Sequence, residues 1–328
     1  MSNSGDKPNI FGEIFHRVRN WQSFGLFIAL IVLYVIFSVS TPIFFTLSNQ
    51  LAILQNAAFF GIVAFAMTLV IVSGEIDISV GSMAALSSSM LGVLAINQGI
   101  PFPVAVILVM VLALLFGAFT GVMRAYFGVP TFISTLAMYF VLRGLARLVT
   151  NNFPIPIPSD EFFYWGTGRI FGIIPVAAIY LLIAAVAIGI IAQRTAFGRS
   201  LYAVGGNLKA ATLSGIPVKR AKILVMTISA GSAAVAGLLQ SAQLSSGNST
   251  IAIGLEFDAI AAAIIGGTLL TGGKGTIVGT AMGILIIAAL LNGMVLLGVN
   301  PYAQQVVRGA IVLVAVLVNV WRTRRAEM

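Results

Sequence analysis

Apolar and polar residues follow each other along the chain in long blocks, and the apolar blocks have the length of membrane-spanning helices. Charged residues are absent from residues 20–74, 78–123 and 223–255. A membrane-spanning helix needs about 20 apolar residues, so each region has room for two crossings, or for one crossing and a shorter piece. The pattern predicts ten spans: residues 24–39, 51–72, 83–96, 104–123, 131–149, 173–192, 223–243, 257–270, 277–297 and 304–320.

Composition agrees with this pattern and excludes several functions. Of the 328 residues 59% are hydrophobic and 8% are charged, which is typical of a polytopic, all-α membrane protein. The net charge of +9 does not indicate nucleic-acid binding, because the basic residues lie in connections between apolar blocks. The chain has no cysteine and a single histidine, His16, which excludes disulfides, thiolate catalysis and cysteine-ligated metals.

The two termini are predicted on the same side of the membrane. In residues 1–23, apolar side chains recur at helical spacing opposite charged ones, which predicts a helix lying in the headgroup layer. Residues 24–321 form one membrane domain, and residues 322–328 a short tail. Ten spans place 14 of the 18 Lys and Arg residues on the side of the termini, which is therefore predicted to be the cytoplasm.

The longest polar connection, residues 194–222, is named the basic segment here. It holds six of the 18 basic residues and no acid. Asn207 is a suitable N-cap, and Gly215 with Pro217 forms a stop, so a short helix is predicted over residues 207–214. A helix of this size cannot bury a core alone, so we expect it to dock on another subunit through Gly205, Gly206, Asn207, Ala210, Ala211, Leu213, Ser214 and Gly215.

The sequence SGEIDISVGS, residues 73–82, interrupts an apolar block with two carboxylates, Glu75 and Asp77. Such a break must line water or protein, because lipid cannot satisfy free backbone groups. One interpretation is a solute path or its cytoplasmic gate. The other is a cytoplasmic turn with solvated acids, paired with Lys274 or Arg124. The candidates for a path or gate are Asn56, Glu75, Asp77, Ser79, Asn248, Glu256, Asp258 and Asn292.

Several of these polar residues also have a purely structural interpretation. Asn56 and Asn292 lie inside apolar spans, where an amide more often bridges helices than binds a solute. Asn248 lies in LSSGNST, residues 244–250, which is typical of a wet turn. GGTLLTGGKGT, residues 266–276, does not have the spacing of a phosphate-binding loop, so it predicts close helix packing and a tight turn.

Three arginines, Arg143, Arg147 and Arg308, lie within or at the ends of predicted spans. A charge at such a position is costly unless it is paired or hydrated. Glu256 and Asp258 lie toward the same predicted face, so we expect pairing between these acids and the arginines. Six spans precede the basic segment and four follow it, and we expect two pseudo-repeated halves of inverted orientation with a pathway between them.

Four stretches resemble one family of membrane proteins. SGEIDISVGS resembles a family motif that usually has Gly at the position of Glu75. The others are FGRSLYAVGGNLKAATLSGIPVKRAK (197–222), LEFDAIAAAIIGGTLLTGGKGTIVGT (255–280) and LNGMVLLGVNPYAQQVVRGAIVLVAVL (291–317). Together they resemble the permease subunits of bacterial ATP-binding-cassette importers for monosaccharides, of the ribose, xylose, arabinose, galactose and autoinducer-2 type.

The resemblance implies a type II-like importer permease with two pseudo-repeated halves in the bacterial inner membrane. It implies a second permease chain, identical or different, a cytoplasmic ATPase and a periplasmic sugar-binding protein. Residues 207–214 would be the coupling helix that seats in the ATPase. This chain would hold no cofactor, since ATP and Mg²⁺ would bind the ATPase, and the sugar would cross by alternating access.

Three alternatives remain at this point. An ion-coupled secondary carrier or facilitator for a small polar solute shares the hydropathy but does not need the basic segment. A nucleoside-type importer permease shares the fold implied by the resemblance. An intramembrane protease would use Asp77 and Asp258 as a carboxylate pair, although the spans place these two residues near opposite faces.

Overall fold

The computed structural model describes residues 21–327, with side chains for residues 24–321. Over that range the fold is all-α, with thirteen α-helices and four two-residue strands. The helices are α1 Trp21–Ser40, α2 Leu47–Val72, α3 Val80–Gly92, α4 Phe102–Phe127, α5 Thr131–Thr150, α6 Asp160–Thr167, α7 Val176–Arg194, α8 Ala196–Gly206, α9 Leu208–Leu213, α10 Val218–Leu244, α11 Leu255–Ile265, α12 Ile277–Leu296 and α13 Pro301–Glu327. The predicted interfacial helix in residues 1–23 lies outside the residues whose side chains are described.

Eight helices of the described region are long and apolar enough to cross a membrane. They are α2, α3 with the π-helical turn Val93–Asn97 that continues it, α4, α5, α7, α10, α12 and α13. The first predicted span corresponds to the shorter apolar helix Phe24–Ser40. The predicted total of ten is not reproduced, because α11 has 11 residues and a length of about 16 Å, half of what a crossing needs.

Helices α2 and α10 form the centre of the bundle. Every residue of α2 from Ala57 onward is buried, which explains why this helix is apolar on all sides. It packs against α7, α10, α11 and α12, while α10 also packs against α3 and α4. Gly117 and Gly121 let α4 approach α10 closely, since a Cβ at Gly117 would come within 2.7 Å of the Met226 carbonyl oxygen.

The connections gather at two ends of the bundle. At one, named the basic end, the residues after α2 meet the end of α4 and the start of α10 through ion pairs from Glu75 to Arg124 and Lys222. At the other, named the hairpin end, strand β1 Ile155–Pro156 pairs antiparallel with β4 Ser246–Gly247. The remaining strands, β2 Arg169–Ile170 and β3 Ile174–Pro175, form a second small antiparallel pair.

Candidate functional site

A polar cleft of about 350 Å³ lies between helices of the bundle toward the hairpin end. This volume falls within the usual range of small-molecule sites. It is named the polar cleft below, and its walls come from α2, the last turns of α10, the start of α11, the second half of α12 and the first turns of α13. The side chains that give it its chemistry are Asn56, Phe59, Phe60, Gln240, Gln243, Asp258, Asn292, Gln304 and Arg308.

Amides and aromatic rings dominate this lining. Asn56 is exposed in the cleft wall, and the Oε1 atom of Gln240 is buried with no hydrogen-bond partner among the described residues. A buried polar atom without a partner is costly, so this oxygen favours a donor group inside the cleft. Phe59 and Phe60 add apolar ring surface beside these amides. The combination suits a neutral ligand that has several hydroxyl groups and apolar C–H faces.

The two charges in the cleft wall neutralise each other. The Arg308 Nη1 atom lies 3.3 Å from the Asp258 Oδ2 atom, which is the pairing expected between the intramembrane acids and arginines. Arg143 forms no salt bridge with a described carboxylate; it lies near enough to Glu256 for an electrostatic interaction and donates to the backbone carbonyls of Ser249 at 3.0 Å and Ile251 at 2.7 Å. Arg147 is exposed and forms no ion pair with a described residue.

The other path candidates toward the hairpin end have structural partners. Asn292 borders the cleft but exchanges two amide hydrogen bonds with Asn49, each 2.9 Å long, so it bridges α2 and α12. Asn248 accepts from the backbone N–H and the hydroxyl of Thr250, both at 2.8 Å, as expected for the turn interpretation. Glu256 is buried against Gly81, outside the polar cleft, and borders a separate cavity of about 430 Å³ with Tyr139 and Arg308.

Residues 73–79 between α2 and α3, named the α2–α3 break, lie at the basic end and do not line the polar cleft. The interpretation as a turn with solvated acids is wrong, because Glu75 is 4% exposed and Asp77 is 2% exposed. Glu75 pairs with Arg124 and Lys222, and not with Lys274. Asp77 accepts from the Ser79 N–H and hydroxyl and from the Ser229 hydroxyl, which fixes the backbone of the break.

The basic segment is mostly helical. The predicted short helix is confirmed as α9 Leu208–Leu213, and the Asn207 side chain caps it by accepting from Ala210 N–H at 2.9 Å. The chain leaves it through Gly215, whose φ of +77° favours glycine. Residues 196–206, predicted as loop, instead form α8, which begins at the Thr195 N-cap. Leu213 is 80% exposed at the end of α9, an apolar side chain available to a partner.

Sequence reasoning missed most of the cleft lining. Gln240 and Gln243 lie three positions apart near the end of α10, so both lie near one face of this helix. This spacing could have marked them as site candidates. Phe59 and Phe60 are indistinguishable by sequence from the other aromatic residues of the spans. Gln304 donates to the Val299 carbonyl at 2.9 Å, which orients it in the cleft wall.

Comparison with known proteins is consistent with this architecture. Residues 49–316 match the family described as the permease component of the branched-chain amino acid transport system. The chain is 46% identical to the probable ABC transporter permease protein YphD of Escherichia coli K12, covering 94% of this chain and 92% of the relative. Identity to the ribose import permease protein RbsC of the same strain is 42%, over 89% and 92% of the two chains.

A xylose permease is also among the relatives. The xylose transport system permease protein XylH of Escherichia coli K12 is 35% identical, with 94% of each chain covered. No solved structure matches the chain.

Proposed function

This chain belongs to the family of membrane permease components of ABC importers, and from that membership we propose that it moves a monosaccharide or related neutral polar solute into the cytoplasm by alternating access. The observation that carries the proposal is the polar cleft, where the exposed Asn56 amide, a Gln240 oxygen without a partner among the described residues and two phenylalanine rings lie beside the Asp258–Arg308 ion pair. Sugars bind through hydroxyl hydrogen bonds and stacking of C–H faces, and they need no counter-ion.

The relatives support a sugar as the solute class. Two of them carry the names of ribose and xylose transport proteins, and both align with nearly the whole chain. A free amino acid would bring two charges into the cleft, where Asp258 and Arg308 already form an ion pair with each other. We therefore favour a five- or six-carbon sugar over a branched-chain amino acid.

Coupling to ATP hydrolysis is assigned to the basic segment. We place it at the cytoplasmic face because Lys and Arg are enriched in cytoplasmic connections, which also puts both termini in the cytoplasm. The exposed Leu213 gives α9 an apolar contact for a groove of an ATPase subunit. A periplasmic binding protein would then deliver sugar at the hairpin end, the end toward which the polar cleft lies.

A second permease chain completes the proposed assembly. Helix α13 packs only against α11 among the major helix contacts of the described residues, and its apolar side chains are largely exposed. Tyr302, Val306, Leu313 and Val314 are all exposed. Lipid covers part of this surface, and a second permease covers the rest.

Uptake into proteoliposomes tests the proposal. The chain is reconstituted with a candidate ATPase and sugar-binding protein of its host, and radiolabelled ribose, xylose, galactose and leucine are compared with ATP inside the vesicles. We expect ATP-dependent accumulation of one sugar and none of leucine. Accumulation of leucine, or sugar uptake by this chain alone driven by an ion gradient, would contradict the proposal.

A further inference from the structure

Three side chains from different parts of the fold contact the Glu75 carboxylate, and the four residues together are named the charge latch here. The Glu75 Oε1 atom accepts from Arg124 Nε at 2.7 Å and from Lys222 Nζ at 2.5 Å. The Oε2 atom accepts from the Thr131 hydroxyl at 2.7 Å. One carboxylate therefore joins the α2–α3 break to the last turn of α4, the first residue of α5 and the second turn of α10.

Burial makes this cluster different from an ordinary surface ion pair. The side chains of Glu75 and Lys222 are 4% and 7% exposed, and that of Arg124 is 27% exposed. Exposed pairs contribute little, whereas removing one member of a buried pair leaves a charge without compensation. Separating Lys222 from the α2–α3 break would therefore leave a buried charge without compensation.

The position of Lys222 connects the latch to the basic segment. Lys222 is the last residue of that segment, so it follows α9 in the chain. Before α9, Gly205 packs against the Val72 carbonyl at the end of α2 so closely that no Cβ fits between them. The basic segment is thus attached to residues 72–75 on both sides of α9. A displacement of α9 would therefore reach the α2–α3 break through two contacts, Gly205 with Val72 and Lys222 with Glu75.

We propose that Glu75 is a positioning residue that transmits movement of the basic segment to the α2–α3 break and, through Arg124 and Thr131, to α4 and α5. The proposal rests on the proposed function, since it assumes that α9 receives movement from an ATPase. Asp77 cannot serve in this role, because its hydrogen bonds go to Ser79 and Ser229 and not to the basic segment. The latch is a mechanical connection and does not contact the polar cleft.

The first test compares ATP hydrolysed with sugar accumulated in the reconstituted complex. Glu75→Gln keeps the size of the side chain and removes the charge that Lys222 and Arg124 share. We expect uptake to fall by about tenfold while ATP hydrolysis continues, because the two cations lose their buried counter-charge. Glu75→Asp keeps the negative charge that Arg124 and Lys222 share, and we expect it to retain most of the uptake.

Glu161→Gln is the matched control, since Glu161 is an exposed acid in α6, away from the latch. It should leave the ratio of hydrolysis to uptake unchanged. A wild-type ratio in Glu75→Gln would overturn the proposal. So would a Glu75→Asp variant as impaired as Glu75→Gln, because the charge of the side chain would then not be what matters.

A second test does not depend on transport. The natural chain has no cysteine, so Ala221→Cys introduces a single thiol beside Lys222, at a position that is 2% exposed. In the purified full chain, adding Glu75→Gln should raise the rate of maleimide labelling by about tenfold, because the first turns of α10 open more often. An unchanged rate would overturn the latch. Absence of sugar uptake by the wild-type complex would instead contradict the proposed function alone.

Discussion

Gly205 and Val72 lie in direct contact, and the carbonyl oxygen of Val72 occupies the space that a Cβ on Gly205 would fill. The Val72 oxygen also accepts from the Gly273 N–H at 2.8 Å. The end of α2, the end of α8 and the turn after α11 are therefore joined at one point, beside the basic segment. Tyr202 strengthens this junction, since its hydroxyl donates to the Gly275 carbonyl at 2.8 Å.

Gly205→Ala should destabilise this junction, because backbone atoms on both sides cannot move out of the way as a flexible side chain would. We expect a loss of about 1–3 kcal/mol in unfolding free energy, typical of overpacking. Gly206→Ala is the matched control, since its nearest atom, the Gly273 Cα, lies 4.0 Å from the added Cβ. Thermal unfolding in detergent compares the two, and equal melting temperatures would contradict the contact.

The cap of α9 gives a second prediction. Asn207→Ala removes the acceptor for the Ala210 N–H and should lower helix stability by about 1 kcal/mol, whereas Asn207→Ser retains an acceptor. Because α9 is only six residues long, we expect the alanine variant to lose sugar-stimulated ATP hydrolysis in the reconstituted complex. Normal stimulation in that variant, with the folded chain still inserted, would count against docking through α9.

Two neighbouring amides have different expected roles, one in binding the solute and the other in stabilising the fold. Asn56 lines the polar cleft, while Gln55 donates to the Gly166 carbonyl at 3.0 Å. Asn56→Ala should weaken sugar uptake, with a KM raised by about tenfold for one lost hydrogen bond to a hydroxyl and little change in stability. Gln55→Ala should lower the melting temperature and leave KM near the wild-type value. A raised KM in Gln55→Ala together with an unchanged KM in Asn56→Ala would show that the sugar binds elsewhere.

Asn49 and Asn292 give a prediction of non-additivity. Each donates Nδ2 to the other's Oδ1 at 2.9 Å, so either single alanine variant leaves its partner short of hydrogen bonds. We expect each single change to cost about 1–3 kcal/mol, and the double change to cost clearly less than their sum. A double-mutant cycle on thermal unfolding measures the difference. Additive costs would show that the two amides act independently in the membrane.

What the sequence could predict was mostly local. The apolar blocks predicted the long helices, because span length depends on bilayer thickness and on nothing distant in the chain. The cap at Asn207 and the stop at Gly215 predicted α9 for the same reason. Helix α8 was missed because its polar and glycine residues resemble a loop, although the Thr195 N-cap and the apolar positions Phe197, Leu201 and Val204 indicate a helix.

What it could not predict depends on contacts between distant residues. Glu75 and Lys222 are 147 residues apart, and no spacing rule assigns one to the other. The pairing of Arg308 with Asp258 could be anticipated because few charges lie within spans, but the carbonyl partners of Arg143 could not. The amides of the polar cleft come from helices that are distant in sequence. Only the packing of α2 against α10, α11 and α12 shows that they form one group.

The short length of α11 has a consequence for how the protein is made. A segment of 11 helical residues followed by the irregular residues 266–276 is too short to partition into a bilayer as an independent unit. Some of its backbone groups bond to residues that leave the ribosome later. Asn319, for example, donates to the Thr268 carbonyl at 2.9 Å. We therefore expect residues 266–276 to become ordered only once the C-terminal helix is present: chains truncated after residue 297 should leave these residues accessible to protease, while longer chains protect them.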